Sequence, residues 1–300
     1  MPVTLPQLSR RGFFTAVAGT LIYRPTFAAD ADPHRVALLS DSHIGEKAEE
    51  IARDCNMADR LKQVVAEVLK LDPKPACAVV NGDLAYKTGT AAEYALFAKL
   101  IDPVREAGIP LHLALGNHDH FDRFAEGLAT LRPKEKPVAG EQVLVVELPR
   151  ANLFVLDSYD PKNTIGGKLG ESQLKWLTEA LDARKDKPAM VIVHHPLQFE
   201  PDKAGKYGGL ADSTLLWPVL KERKQVKAYV YGHTHTWKFA EKDGIHLINL
   251  PAIGYPFAKA EISGWVDVAL GTSGAKFTVH GIDPKHKDHG KSVELVWRKA

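Results

Sequence analysis

Five short apolar runs in this chain each end on a cluster of histidine, aspartate or asparagine. Residues 35–40 lead into Asp41-Ser42-His43, and Ala76 to Val80 lead into Asn81-Gly82-Asp83. Leu111 to Leu115 lead into Gly116-Asn117-His118-Asp119, Met190 to Val193 into His194-His195, and Ala228 to Tyr231 into Gly232-His233-Thr234-His235. Short apolar runs of this kind read as buried strands. Residues 59–71 carry Leu61, Val64, Val65, Val68 and Leu69 at helical spacing, residues 91–107 read as a second helix, and residues 171–184 as a third with Leu174, Leu177 and Leu181 on one face. Residues 144–148 and 153–156 suggest a hairpin across Pro149-Arg150-Ala151-Asn152. From 245 onward the pattern is mostly strand, at 245–250, 264–270, 275–282 and 292–298. The early strand–helix alternation and the later run of strands predict an α/β fold. Ligand sites of open α/β sheets collect at the carboxyl ends of strands, so five motifs distant in sequence are expected to meet on one rim.

The residue types in those motifs suit two adjacent metal ions. Asp41 and His43 are two apart in a turn leaving a strand, so both can reach one ion. Asp83 follows a glycine that permits a sharp turn, and a carboxylate has two oxygens with which to bridge two cations. Asn117 offers a neutral carbonyl oxygen. His233 and His235 are again two apart and could serve separate ions. Borderline metals accept such a mixed nitrogen and oxygen set, and paired metals most often perform phosphoryl chemistry. Taken singly the motifs say little: Asp-x-His is usually a solvated turn, and Gly-Asp is common. Their joint occurrence in order, at strand ends, carries the inference.

In that order and over roughly residues 36 to 250, the motifs resemble the calcineurin-like metallophosphoesterase superfamily. The resemblance implies a four-layer α/β/β/α sandwich of two mixed sheets flanked by helices, with a dinuclear metal site on the carboxyl-end rim of the strands. It implies that Asp41, His43 and His235 hold one metal, that Asn117, His194 and His233 hold the other, and that Asp83 bridges them. His118 matches the histidine that stabilises the transition state or protonates the leaving group, and Asp119 would orient it. The implied reaction is in-line attack on a phosphate ester by a hydroxide bridging the two ions, which could be manganese, iron, zinc or cobalt. Protein serine/threonine phosphatases carry Gly-Asp-x-Val-Asp-Arg-Gly and Gly-Asn-His-Glu. This chain has Gly82-Asp83-Leu84-Ala85-Tyr86-Lys87 and Gly116-Asn117-His118-Asp119 instead, and resembles the small bacterial phosphodiesterases more closely. The expected partner is therefore a small-molecule phosphodiester. The alternatives are a phosphomonoesterase on the same site, and a scaffold of the same fold, a class that loses ligands where this chain loses none.

Substrate contacts are harder to read. His195 either lines the phosphate pocket or packs, and His120 either touches substrate or faces water. Phe199 and Tyr207 lie in a long glycine-bearing segment, 196–214, directly after a metal-ligand candidate. Tyr207-Gly208-Gly209 would hinge a lid or form an ordinary turn. Residues 120–142 and 159–168 are further candidate walls.

Ser9-Arg10-Arg11-Gly12-Phe13-Phe14, a modest apolar stretch and small residues at Ala28, Ala29 and Ala31 look like a twin-arginine export signal. Residues 1–31 are expected to be cleaved, leaving 32–300 as a single periplasmic or secreted domain with no membrane span. The chain's 39 bases include Arg10, Arg11 and Arg24 in the first 28 residues, where no acid lies, so 36 bases face 37 acids in the remainder. That balance gives no electrostatic case for nucleic acid. Two cysteines, Cys55 and Cys77, are too few for a disulfide framework.

Overall fold

The computed structural model describes residues 31–299. The expected export segment lies outside the described residues, apart from Ala31, which opens the first strand. Fourteen strands and five α-helices follow in order: β1 (Ala31–Leu39), β2 (Ile51–Ala52), β3 (Cys55–Asn56), α1 (Met57–Leu69), β4 (Lys74–Asn81), α2 (Ala91–Glu106), β5 (Leu111–Ala114), α3 (Phe121–Gly127), β6 (Leu144–Glu147), β7 (Asn152–Val155), α4 (Gly170–Asp182), β8 (Ala189–Ile192), α5 (Ser213–Glu222), β9 (Val226–Tyr231), β10 (Lys238–Lys242), β11 (Ile245–Asn249), β12 (Gly264–Leu270), β13 (Gly274–Gly281) and β14 (Ser292–Val296).

Two six-stranded mixed sheets form, ordered β14-β13-β12-β1-β4-β5 and β10-β11-β9-β8-β7-β6. The parallel strands β1, β4 and β5 share the first sheet. In the second, β7, β8, β9 and β11 run parallel. Side chains alternate across a strand, and the alternation sorts the core into three layers. Val36 and Leu38 of β1, Cys77 and Val79 of β4, and Met190 and Ile192 of β8 fill the space between the sheets. Ala37, Leu39, Ala78 and Val80 face outward onto α1 and α2 through Leu61, Val65, Phe97 and Ile101. Phe154, Val191 and Tyr229 face the opposite way, onto Leu177 and Leu181 of α4 and Leu216 and Leu220 of α5. The result is the expected four-layer α/β/β/α sandwich.

The helices start where local chemistry satisfies their free N–H groups. Asn56 Oδ1 accepts from Asp59 N at 2.9 Å at the head of α1, and Thr90 with Glu93 forms a reciprocal capping box on α2. Five elements exceed the sequence reading. The stretch 120–142 contains α3, the stretch after 210 contains α5, β10 pairs with β11, and β2 with β3 forms a two-stranded hairpin. His286 and His289 lie on the connector between β13 and β14. Cys55 and Cys77 are both buried and unbridged. Burial between the sheets pushes the Cys77 thiol up to about 12. Among the described residues no helix is long and apolar enough to cross a membrane.

Candidate metal centre

All five motifs leave their strands at the same end of the sandwich, β1, β4 and β5 from one sheet and β8 and β9 from the other. The two halves are tied together before any side chain of the centre is considered. Asn81 Nδ2 donates to Val193 O at 3.1 Å, and the Asp41 carboxylate accepts from His233 N at 3.1 Å. Asp41 N and His43 N donate to the carbonyls of Gly82 and Asp83, continuing the β1–β4 ladder past the strand ends.

Asp41, His43, Asp83, His233 and His235 all adopt positive φ, between 48° and 66°. Left-handed backbone is costly for residues with a side chain, of order 1–3 kcal/mol, and persists where the surroundings impose it. Here it turns each side chain inward off a strand end. Gly82 (φ +77°) and Gly116 supply the closest approaches, since a Cβ on Gly82 would stand 2.6 Å from the His194 ring, and one on Gly116 would stand 2.7 Å from it and collide with the Asp83 carboxylate.

The inward atoms form four overlapping triads in which every donor lies within 4.8 Å of the others: Asp41, His43 and His235; His43, Asp83 and His118; Asp41, Asp83 and His194; and His194, His195 and His233. His43 Nε2 stands 3.0 Å from His235 Nε2, His235 Nε2 stands 3.3 Å from Asp41 Oδ1, and Asp83 Oδ2 stands 3.6 Å from His43 Nε2 and 3.3 Å from His194 Nε2. Asp83 therefore sits between the two histidine clusters, where a bridging carboxylate belongs. Asn117 donates its amide to Thr164 O at 3.0 Å, and its Oδ1 is buried and without a hydrogen-bond partner among the described residues.

Backbone carbonyls set the tautomers. His194 Nδ1 pairs with Asn81 O at 2.8 Å, His235 Nδ1 with Tyr255 O at 2.6 Å and His118 Nδ1 with Tyr86 O at 2.6 Å. Each Nδ1 donates, so each Nε2 is left with its lone pair directed inward. Among the described residues, His194 Nε2 is buried with no hydrogen-bond partner. Orphaned buried acceptors on His194 and Asn117, beside two ionised carboxylates, are what a cation fits.

The electrostatics agree. Burial would raise Asp41, but the neighbouring His194 and His235 hold it down to about 2. Burial also opposes ionisation of Asp83, and His194 overrides it, keeping that carboxyl well below its usual range. Burial pushes His43 down to about 3 and His233 to about 4. His194 goes the other way, up to about 10, because Asp83 and Asp41 outweigh its burial. The two carboxylates thus concentrate negative charge at the point His194 Nε2 faces, and a metal ion meets the same attraction as a proton.

Some expected roles change. Asp119 does not touch the His118 ring. Its carboxylate accepts from Gly116 N at 2.9 Å, Ala85 N at 3.2 Å and the Tyr94 hydroxyl at 3.2 Å. It clamps the two turns that carry Asp83 and Asn117, while the Tyr86 carbonyl orients His118. His195 is fully buried and bonded on both sides, to Ser158 Oγ at 2.8 Å and Ile165 O at 3.2 Å, which makes it a packed strut beside His233. His120 caps no partner with its ring. Its N–H donates to Tyr94 Oη at 2.8 Å, and its ring lies 6.2 Å from that of Tyr159.

Phe199 packs edge-on against Trp217, beneath Lys242, on the outer helical layer, so it does not face the centre. Tyr207 is tied toward the centre through its backbone: its carbonyl accepts from Asn163, next to the Thr164 that holds Asn117. Gln198 Oε1 accepts from both Gly208 N at 2.9 Å and Gly209 N at 2.7 Å. The glycine pair is a pinned turn rather than a hinge.

The sequence reading missed an aromatic collar. Tyr255 stacks on His43 at 4.9 Å, and Phe257 lies nearly parallel to His235 at 4.0 Å. Tyr86 meets both His43 and Tyr255 edge-on. Gly254-Tyr255-Pro256-Phe257 is separated by four residues from the strand at 245–249, further than the histidine motifs lie from theirs, so strand-end position did not signal it. Ala52, Arg53, Tyr86, Lys87, His118 and Tyr255 line a cavity of about 450 Å³ beside the centre.

Residues 34–237 match the calcineurin-like phosphoesterase family. The chain belongs to that family. A protein of Synechococcus sp. named a probable cyclic nucleotide phosphodiesterase is 28% identical over 259 residues, 86% of this chain and 96% of that one. A protein of Haemophilus influenzae named a 3',5'-cyclic adenosine monophosphate phosphodiesterase is 26% identical over 230 residues, 76% of this chain and 80% of that one. The crystal structure of a dimetal phosphatase from Danio rerio superposes with a TM-score of 0.68 at 14% identity, over 89% of this chain and 100% of that one; this likeness is one of fold. Family membership and the histidine–aspartate cluster together indicate a dinuclear divalent metal site in a phosphoric ester hydrolase.

Proposed function

We propose that this centre hydrolyses small phosphodiesters. The observation that carries the reading is the set of overlapping donor triads, two of which contain Asp83, with the buried His194 Nε2 and Asn117 Oδ1 unsatisfied by hydrogen bonds among the described residues. Asp41, His43 and His235 would hold one ion, Asn117, His194 and His233 the other, and Asp83 both. Manganese, iron, zinc and cobalt all accept this donor set. Bound there, two cations supply charge neutralisation at the phosphoryl oxygens and an activated water at neutral pH. The names of the relatives favour a diester over a monoester.

The chain's own residues do the rest. The carbonyls of Asn81, Tyr255 and Tyr86 fix the tautomers of His194, His235 and His118, so these three rings need not change tautomer on binding. Asp119 holds the turns of Asp83 and Asn117 in register. His118, anchored through Nδ1, presents Nε2 to the cavity, and once that nitrogen has taken up a proton it would give it to the departing alkoxide.

A paired assay tests the reading. Metal content is measured on purified protein, and bis(p-nitrophenyl) phosphate is compared with p-nitrophenyl phosphate, with and without manganese. About two metals per chain and faster diester cleavage are expected. Faster monoester cleavage would make the enzyme a phosphatase, and no turnover at full metal loading would remove the hydrolase assignment.

We also infer export, supported by the paired arginines at 10 and 11, the apolar stretch after them and the small residues near 28–31. Fractionation of cells expressing the full chain, beside an Arg10→Lys, Arg11→Lys variant, checks this. Unchanged distribution between the two would overturn it.

A further inference from the structure

The β2–β3 hairpin projects over the cavity beside His118, and its tip is Arg53-Asp54, both at positive φ (49° and 64°). Arg53 is exposed. Its guanidinium lies 5.1 Å from the Phe257 ring centroid and 5.8 Å from that of Tyr255. It makes no hydrogen bond and no ion pair among the described residues. The other cation of this cavity, Lys87, is already spent on Glu50 at 2.8 Å. Tyr255 and Phe257 are the rings that stack on the metal-ligand candidates His43 and His235, so they connect the Arg53 position rigidly to the centre. A guanidinium laid on aromatic faces keeps its N–H fork free for a planar anion.

We infer that Arg53 is an anion subsite for the leaving group, and that the preferred substrates are phosphodiesters whose departing alcohol carries a carboxylate or a second phosphate. The inference rests on the phosphodiesterase reading above and extends it. His118 lies on the same cavity and marks the side on which the alcohol leaves. Metals held by His43 and His235 would take the charge of the phosphoryl group being cleaved, and Arg53, which lies against Tyr255 and Phe257 rather than against the ligand candidates themselves, would serve a different anion. Tyr86 and Tyr255 give the intervening alcohol two aromatic walls.

Two chromogenic diesters that differ only in the leaving group test this: methyl p-nitrophenyl phosphate and methyl 3-carboxy-4-nitrophenyl phosphate. Each is assayed on the metal-loaded wild-type enzyme and on Arg53→Gln, with metal content and melting temperature checked for both proteins. Arg53 is exposed on a hairpin tip and ligates nothing, so the variant is expected to fold and load metal normally. The expected result is at least a tenfold rise in KM for the carboxylated ester in Arg53→Gln, with kcat/KM for the uncharged leaving group within about twofold. Arg53→Lys should recover part of the loss, since it restores charge without the fork. Equal losses on both esters would place Arg53 on the phosphoryl group and overturn the inference, and no loss on either would overturn it too. Turnover of neither ester by the metal-loaded wild type would overturn the phosphodiesterase reading itself.

Discussion

His118 and Asp83 stand next to each other in space and answer to different tests. His118 is held through Nδ1 by a backbone carbonyl and belongs to only one of the four donor triads. His118→Ala should therefore keep about two metals per chain while kcat falls by roughly 10²–10⁴, the usual range for loss of a positioned acid. Asp83 accepts from His118 N at 2.9 Å and faces both histidine clusters. Asp83→Asn removes the shared charge, so metal content should drop below two per chain together with activity, as read by elemental analysis beside the assay. Retention of full rate by either variant would refute the assigned roles. Both residues were legible in the sequence because each follows a glycine or asparagine at a strand end. The role of Asp119 was not legible: adjacency to His118 suggested a ring contact, but successive side chains in a turn diverge, and this one points back at Gly116 and Ala85.

Single polar residues also fasten whole elements. Asp157, just beyond β7, accepts from Gln142 N and Tyr159 N at 2.9 Å each, while its own N–H and C=O pair with the Gln173 side chain of α4 at 2.7 Å. It joins the end of β7, a helix and the segment leading into β6. Burial raises its carboxyl to about 7. The folded protein then keeps a proton that the unfolded chain releases near pH 4. Its contribution to stability is complete below that pH and declines as pH rises toward 7, with a slope on the order of 1 kcal/mol per pH unit. Denaturation between pH 4.5 and 7 should show a shallower decline for Asp157→Asn than for the wild type, and parallel curves would refute this. Regular elements with clean periodicity were read correctly, as with α1, α4 and the hairpin β6–β7. α3 and α5 escaped because each is short and lies inside a segment rich in glycine, proline and charge, where packing rather than pattern stabilises the helix.

At the scale of the molecule, the centre is a charged knot closing one end of an apolar sandwich. Asp41, His43, Asp83, His194 and His235 are all at most 2% exposed. Burying such groups is unfavourable unless a cation compensates them. Chelation should accordingly lower the melting temperature. A ligand at about 100 times its Kd contributes about 2.7 kcal/mol, and at roughly 2–4 °C per kcal/mol for chains of this size the expected drop is about 5–10 °C, reversed by adding metal back. An unchanged melting temperature in the stripped protein would count against a metal-dependent centre. The sequence alone determined the α/β class and the strand-end candidates, because apolar runs and the polar motifs that follow them are local patterns written in consecutive residues, while the two-sheet sandwich came with the family resemblance. Only the tertiary structure decided which atoms face one another. It brought the Tyr86, Asn81 and Tyr255 carbonyls to the histidine rings, moved Phe199 to the outer layer and laid Arg53 over Tyr255 and Phe257. Those contacts join residues far apart in the chain, and their geometry comes from how the sheets and turns pack rather than from any spacing along it.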